Sequence, residues 1–114
     1  MKIVSQSFEI LRATPAVAEF FVRVELDNPV AETKITGRAV GPQCPGVSTV
    51  EVAYPMAVEE VSGTVVSLRC VIPEPNLWSA ETPFTYAVTT EVRSGGEIVA
   101  AHTYRVALRT VGSP

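Results

Sequence analysis

Four kinds of side chain in this sequence could carry chemistry: acids, a histidine, two thiols and an indole. General acid/base work needs a pair of groups held within hydrogen-bond reach of the reacting atoms. The chain has 12 Asp+Glu, but most fall on outward strand positions or in loops, where a carboxylate is solvated. Glu59-Glu60 is the one acidic doublet, and calcium takes about six to eight oxygen ligands, so this doublet is too small for a cation site. His102 is the only histidine. A lone imidazole supports neither a metal nor a triad, and alternation puts it on the inner row of its strand with Ile98, Ala100, Tyr104, Val106 and Leu108. The expectation is a partly buried structural histidine. Cys44 lies in a Gly/Pro loop and Cys70 inside a strand pattern. They have no metal-ligand spacing and are read as free thiols.

The indole is Trp78, the sole tryptophan. An exposed indole is apolar on its faces and can stack on a sugar ring. Yet Trp78 sits beside Leu77 in a proline-rich stretch, Pro73 to Tyr86, between two apolar runs. Proline lacks the backbone donor a central strand needs. The stretch therefore reads as an ordered crossover, with Leu77 and Trp78 turned inwards to plug the end of a core. Ser79-Ala80-Glu81 offers one turn of helix with Ser79 as its cap. Outward Phe21 is the better candidate for an exposed apolar contact, together with Val65 and Val71.

The elements that must hold these residues are strands. Ala16 to Asp27 alternates most clearly: Ala18, Phe20, Val22, Val24 and Leu26 share one face, and Asn28-Pro29 ends the run. Lys2 to Arg12 precedes it. Thr33 to Val40 and Val47 to Ala53 follow, the latter closed by Tyr54-Pro55. Thr64 to Ile72 has Val66, Leu68, Cys70 and Ile72 as its inner row. Phe84 to Val92 and Ile98 to Leu108 flank a Ser94-Gly95-Gly96 hairpin turn, where glycine tolerates positive φ. About seven short strands punctuated by turns, with no helical periodicity, indicate an all-β fold, an immunoglobulin-like β-sandwich of antiparallel strands. Tyr86 stands near the start of the sixth strand, two residues before the inward Val88, where such sandwiches carry a tyrosine corner.

Composition narrows the function classes. The chain of 114 residues fits a single domain, 1–114, and its 46% hydrophobic content supports a core. Lys+Arg 9 against Asp+Glu 12 gives −3, too weak a field to indicate nucleic acid or an acidic membrane surface as partner. No apolar run approaches membrane-spanning length. Met1-Lys2-Ile3-Val4 runs at once into Ser5-Gln6-Ser7, without a signal-peptide apolar region, and the expectation is a soluble chain.

Leu77-Trp78-Ser79-Ala80-Glu81-Thr82-Pro83-Phe84-Thr85-Tyr86 resembles the Leu-Trp-Ser-x-Glu-x-Pro-x-Leu-Tyr signature of the immunoglobulin-like sandwich domain in family 2 glycoside hydrolases, the β-galactosidase and β-mannosidase group. Leu77, Trp78, Ser79, Glu81, Pro83 and Tyr86 match; Thr85 replaces leucine. The end of the chain, Tyr104 to Arg109, is similar to that domain's last strand, which usually ends Gly-Phe-Arg. Arg109 matches, Leu108 is a softer match and Ala107 replaces the glycine. The resemblance implies a structural motif rather than a site. In that family the catalytic residues lie in a barrel that follows the domain, and no acid here follows the family's Asn-Glu pattern. The expected function is a non-catalytic module that braces and orients neighbouring domains of a parent glycoside hydrolase. No cofactor or metal is implied. The alternative is a free-standing immunoglobulin-like module that binds carbohydrate or protein.

Overall fold

The computed structural model describes residues 3–27 and 33–109. They form eight antiparallel strands in two sheets, one strand more than expected: β1 Ile3–Ala13, β2 Val17–Leu26, β3 Thr33–Gln43, β4 Val52–Pro55, β5 Ala57–Ser62, β6 Val65–Pro73, β7 Thr85–Ser94 and β8 Glu97–Val106. One sheet runs β1-β2-β6-β5 and the other β4-β3-β7-β8. This is the immunoglobulin arrangement of four strands against three, with β4 added beside β3.

The period-two runs became the strands that face the core. Ala18, Phe20, Val22, Val24 and Leu26 are all buried on β2, and Leu68, Cys70 and Ile72 meet them from β6 in the same sheet. Across the interior stand Ile35, Ala39, Val88, Val92 and Tyr86 of the other sheet. The Phe8 and Phe20 rings, 5.0 Å between centroids, close the core under β1. Thr90 is the one buried polar residue of this interior among the described residues, and Gln6 Nε2 donates to its hydroxyl at 2.7 Å. That bond offsets the cost of burying the hydroxyl.

The strand expected over Val47 to Ala53 instead covers Val52–Pro55, and β5 was not foreseen. β5, Ala-Val-Glu-Glu-Val-Ser, is exposed at every position, so no alternation of polarity marks it. Its backbone is held by pairing with β6 alone. Tyr54-Pro55 closes the strand as expected, though as its last two residues: β4 ends at Pro55 and is an edge strand, where a proline is tolerated. Between β4 and β5 the chain changes sheets at Met56, whose N–H donates to Gly37 O at 2.9 Å.

The hairpin between β7 and β8 is as the sequence indicates: Gly95 and Gly96 have φ of 60° and 85°, the left-handed pair of a tight hairpin. The strand beyond it carries a surprise. Val92 pairs Ala100 while Arg93 pairs Ile98, leaving Val99 as the extra residue of a bulge. The bulge turns Ile98 to the outer face, where it is exposed, and removes it from the row assigned to it. His102 pairs Thr90 and so faces inward, but β8 is an edge strand and the imidazole is exposed rather than partly buried. Asn28-Pro29, Lys2 and Glu32 lie outside the described residues.

Candidate functional site

The crossover from β6 to β7 is fixed by backbone groups that have no strand to pair with. Glu74 adopts φ 46° and donates its N–H to Ala16 O at 2.9 Å. Pro75 is buried. The Asn76 N–H donates to the Tyr86 hydroxyl at 3.0 Å, which makes Tyr86, 1% exposed, the tyrosine corner that its position indicates. Burial raises the Tyr86 pKa above the ordinary 10.0; the Asn76 bond lowers it in part and Tyr54 raises it. The Tyr54 ring meets Tyr86 edge-on at 6.4 Å. On the other side Gly41 comes so close that a Cβ there would lie 2.7 Å from a Tyr86 ring carbon and 3.0 Å from Thr85 O. Glycine is needed at this spot because the backbone touches the ring, not because of φ.

Leu77 turns inwards and packs on the core, as expected. Trp78 does not plug it. Its ring is half-buried and lies outside the core cluster, while its N–H donates to Leu108 O at 2.9 Å. That bond ties the crossover to the chain just past the end of β8. The Arg109 guanidinium lies over the ring at 3.9 Å from the centroid, a cation–π stack. Ser79 caps no helix. Its N–H donates to Thr82 O at 3.2 Å, and its hydroxyl accepts the Thr82 N–H at 3.1 Å, closing a turn. The chemistry resembles that of a cap, but Pro83 follows at once and no helical turn propagates. Glu81 is exposed, and Pro83 is half-buried against the indole's flank.

Trp78 and Pro83 form one wall of a groove whose other residues are Gln43, Cys44, Pro45, Thr85 and Arg105. Arg105 donates to Thr85 Oγ1 at 3.3 Å and to Gln43 Oε1, and Gln43 in turn donates to Glu51. Gln43, Asn76, Gly41 and Arg105 were not singled out in the sequence. The Gly41-Pro42 pair was visible as a loop signal, but its contact with Tyr86 depends on a register irregularity between β3 and β7.

The other candidates separate. Glu19 pairs with Arg12 at 3.1 Å and with Arg69, Glu9 with Arg23 at 3.0 Å, and Glu91 with Arg38 and Arg93 at 3.2 and 3.5 Å. Each of these carboxylates sits on an outer sheet face beside its counter-charge. Glu59 and Glu60 are exposed on β5. Among the described residues no group of three His, Cys, Asp or Glu is placed to hold a metal. No helix is long and apolar enough to cross a membrane. Cys44 and Cys70 are free and buried, and burial pushes the Cys70 thiol from 9.0 up to about 12. Phe21 is partly covered by Arg23, 5.7 Å from its centroid, so it is less open than alternation alone suggests. Val71 is exposed at 38%, and Val65 is half-buried.

Strand order, tyrosine corner and outward-facing acids define the class: an immunoglobulin-like sandwich module. The chain belongs to the glycosyl hydrolases family 2, whose family model matches residues 7–109. No curated protein matches the chain. Among solved structures it is similar to Bifidobacterium dentium β-glucuronidase complexed with coumarin-3-O-glucuronide, with 15% identity and a TM-score of 0.65 over 94% of this chain. A family 2 β-glucuronidase matches 92% of the chain at 17% identity and TM-score 0.60. Bacteroides uniformis β-glucuronidase matches 90% at 18% identity and TM-score 0.57. At these identities the likeness is one of fold. The matched region is 17%, 11% and 13% of those larger chains respectively.

Proposed function

We propose that this chain is a non-catalytic sandwich module of a glycoside hydrolase, and that its work is to brace and orient neighbouring domains. The observation that carries the reading is the disposition of its acids. Glu9, Glu19 and Glu91 are each held by arginine on an outer sheet face. A glycosidase needs two carboxyl groups facing each other across a sugar, about 5–9 Å apart. Each of these carboxylates instead faces an arginine on its own sheet face, not a second carboxylate across a cleft. The small share of the β-glucuronidase chains that the module overlaps supports the same reading. Neighbouring domains of a parent glycoside hydrolase are then its partners.

The test is an assay with aryl β-glucuronides, β-galactosides and β-mannosides. No turnover is expected. Hydrolysis that co-purifies with the chain through successive columns, and disappears on Glu19→Gln or Glu91→Gln, would overturn the proposal. A second reading, a free-standing module for carbohydrate or protein, draws its support from the half-buried indole of Trp78.

A further inference from the structure

The arginines of this chain fall into two sets. Five of the seven, Arg12, Arg23, Arg38, Arg69 and Arg93, pair with a carboxylate. Arg105 and Arg109 have no carboxylate partner among the described residues, and each is placed relative to Trp78. Arg105 lines the groove beside Trp78, and Arg109 lies on the indole itself at 3.9 Å. A guanidinium has five N–H donors. Arg105 directs one nitrogen to Thr85 Oγ1 and Gln43 Oε1, neutral acceptors that leave its charge uncompensated. Arg109 stacks through its face, which leaves its in-plane donors free. Both side chains are exposed, so neither charge is buried at a cost.

The rest of the groove is chemically mixed. Trp78, Pro83 and Pro45 give apolar surface, and Thr85 and Gln43 give hydroxyl and amide groups. A fully apolar partner would leave the arginines unsatisfied. A bare anion would gain nothing from the indole and prolines. A ring with C–H faces, hydroxyls and one carboxylate uses all three kinds of surface. We propose that this groove binds a carboxylate-bearing sugar, a uronic acid residue. Its C–H face packs on the part of the indole that Arg109 leaves uncovered, its hydroxyls meet Thr85 and Gln43, and its carboxylate meets Arg105. Arginine suits this because its fork matches the two carboxylate oxygens. The site is separate from the bracing role and does not depend on it: the module can brace its neighbours with the groove empty.

Trp78 reports on its own site, being the only indole. The whole chain is titrated with a glucuronic acid or galacturonic acid oligosaccharide at low salt, followed by Trp78 fluorescence and by calorimetry. Saturable binding is expected. It weakens by about tenfold in Arg105→Gln, the loss of a charge-assisted contact, and is unchanged in Arg93→Gln, whose arginine is paired with Glu91 elsewhere. The neutral methyl ester of the same oligosaccharide binds at least tenfold more weakly. Equal binding of acid and ester, or binding of simple acetate or an acidic peptide as tight as that of the sugar, overturns the assignment. So does the absence of any saturable change while circular dichroism shows the chain folded. Glycosidase assays are unaffected by each of these results, so this proposal and the bracing role fail separately.

Discussion

Tyr86 and Trp78 lie eight positions apart, one at the start of β7 and the other on the crossover, yet the molecule treats them in opposite ways. Tyr86 is 1% exposed, held by the Asn76 N–H at its hydroxyl and by the Gly41 backbone at its ring. Trp78 is half-buried, and a charged, exposed guanidinium covers it instead of core carbon. The difference comes from where each backbone stands. Tyr86 is on β7, a central strand of its sheet, and alternation aims it between the sheets. Trp78 precedes that strand and pairs with Leu108 O just past β8, where the indole meets Arg109 and borders an open groove. Size alone therefore does not make an aromatic residue a core residue.

The comparison can be broken by substitution. The largest effect is expected at the corner. Tyr86→Ala removes a fully buried ring and should cost about 3–5 kcal/mol, a large share of the roughly 5–15 kcal/mol available to a domain of this size. Chemical denaturation should show a much earlier midpoint or no folded baseline. A loss below that of Trp78→Ala would reverse the ranking of the two aromatics.

Gly41→Ala should come next. The added Cβ meets backbone as well as the Tyr86 ring, so the strand must shift, at about 1–3 kcal/mol. A thermal melt unchanged from the parent would mean that the approach of β3 to Tyr86 is looser than 2.7 Å.

Trp78→Ala should cost only about 1–2 kcal/mol, from partial apolar burial and a cation–π contact with an exposed arginine. Fluorescence sharpens the contrast: emission intermediate between buried and free indole, with partial quenching by iodide, fits a half-covered ring. Fully blue, unquenchable emission would contradict it.

The smallest effect concerns the Tyr86 hydroxyl. Tyr86→Phe should cost about 0.5–1.5 kcal/mol by leaving the Asn76 N–H without its acceptor. The hydroxyl also makes stability depend on pH. Its folded pKa is raised above 10.0, so near pH 10 the unfolded chain sheds a proton that the native chain keeps. Native protein then binds more protons, and stability falls as pH rises. Tyr104, which burial pushes up to about 12, and Cys70, raised from 9.0 to about 12, act in the same direction. Denaturation measured from pH 8 to 11 should show a steady loss, shallower in Tyr86→Phe. Equal slopes would remove Tyr86 from the alkaline transition.

Much of the fold is legible residue by residue. β2 alternates without error from Ala18 to Leu26, and both glycines of the β7–β8 turn have the φ that a tight hairpin requires. Both signals are local, since a strand with one wet face and a turn with positive φ restrict residue type directly. The tyrosine corner was also readable, from the distance between Tyr86 and Val88. β5 was not, because a strand exposed on every residue imposes no pattern, and its existence depends on a partner 3 to 12 positions further along. Ile98 and His102 were misplaced for a related reason. One extra residue, Val99, shifts the phase of β8, and the edge position exposes what alternation turns inward.

By itself, then, the sequence determined the all-β class, the inner rows of the central strands, the hairpin glycines and the family motif, because burial selects residue types at a fixed period along the chain. Tertiary structure alone decided that Trp78 stacks under Arg109 rather than entering the core, that Gly41 abuts Tyr86, and that Arg105 lines the groove beside Trp78. These contacts join residues 27 to 45 positions apart in different strands and loops. No local pattern encodes them, since they depend on how two sheets and a crossover come to rest against one another.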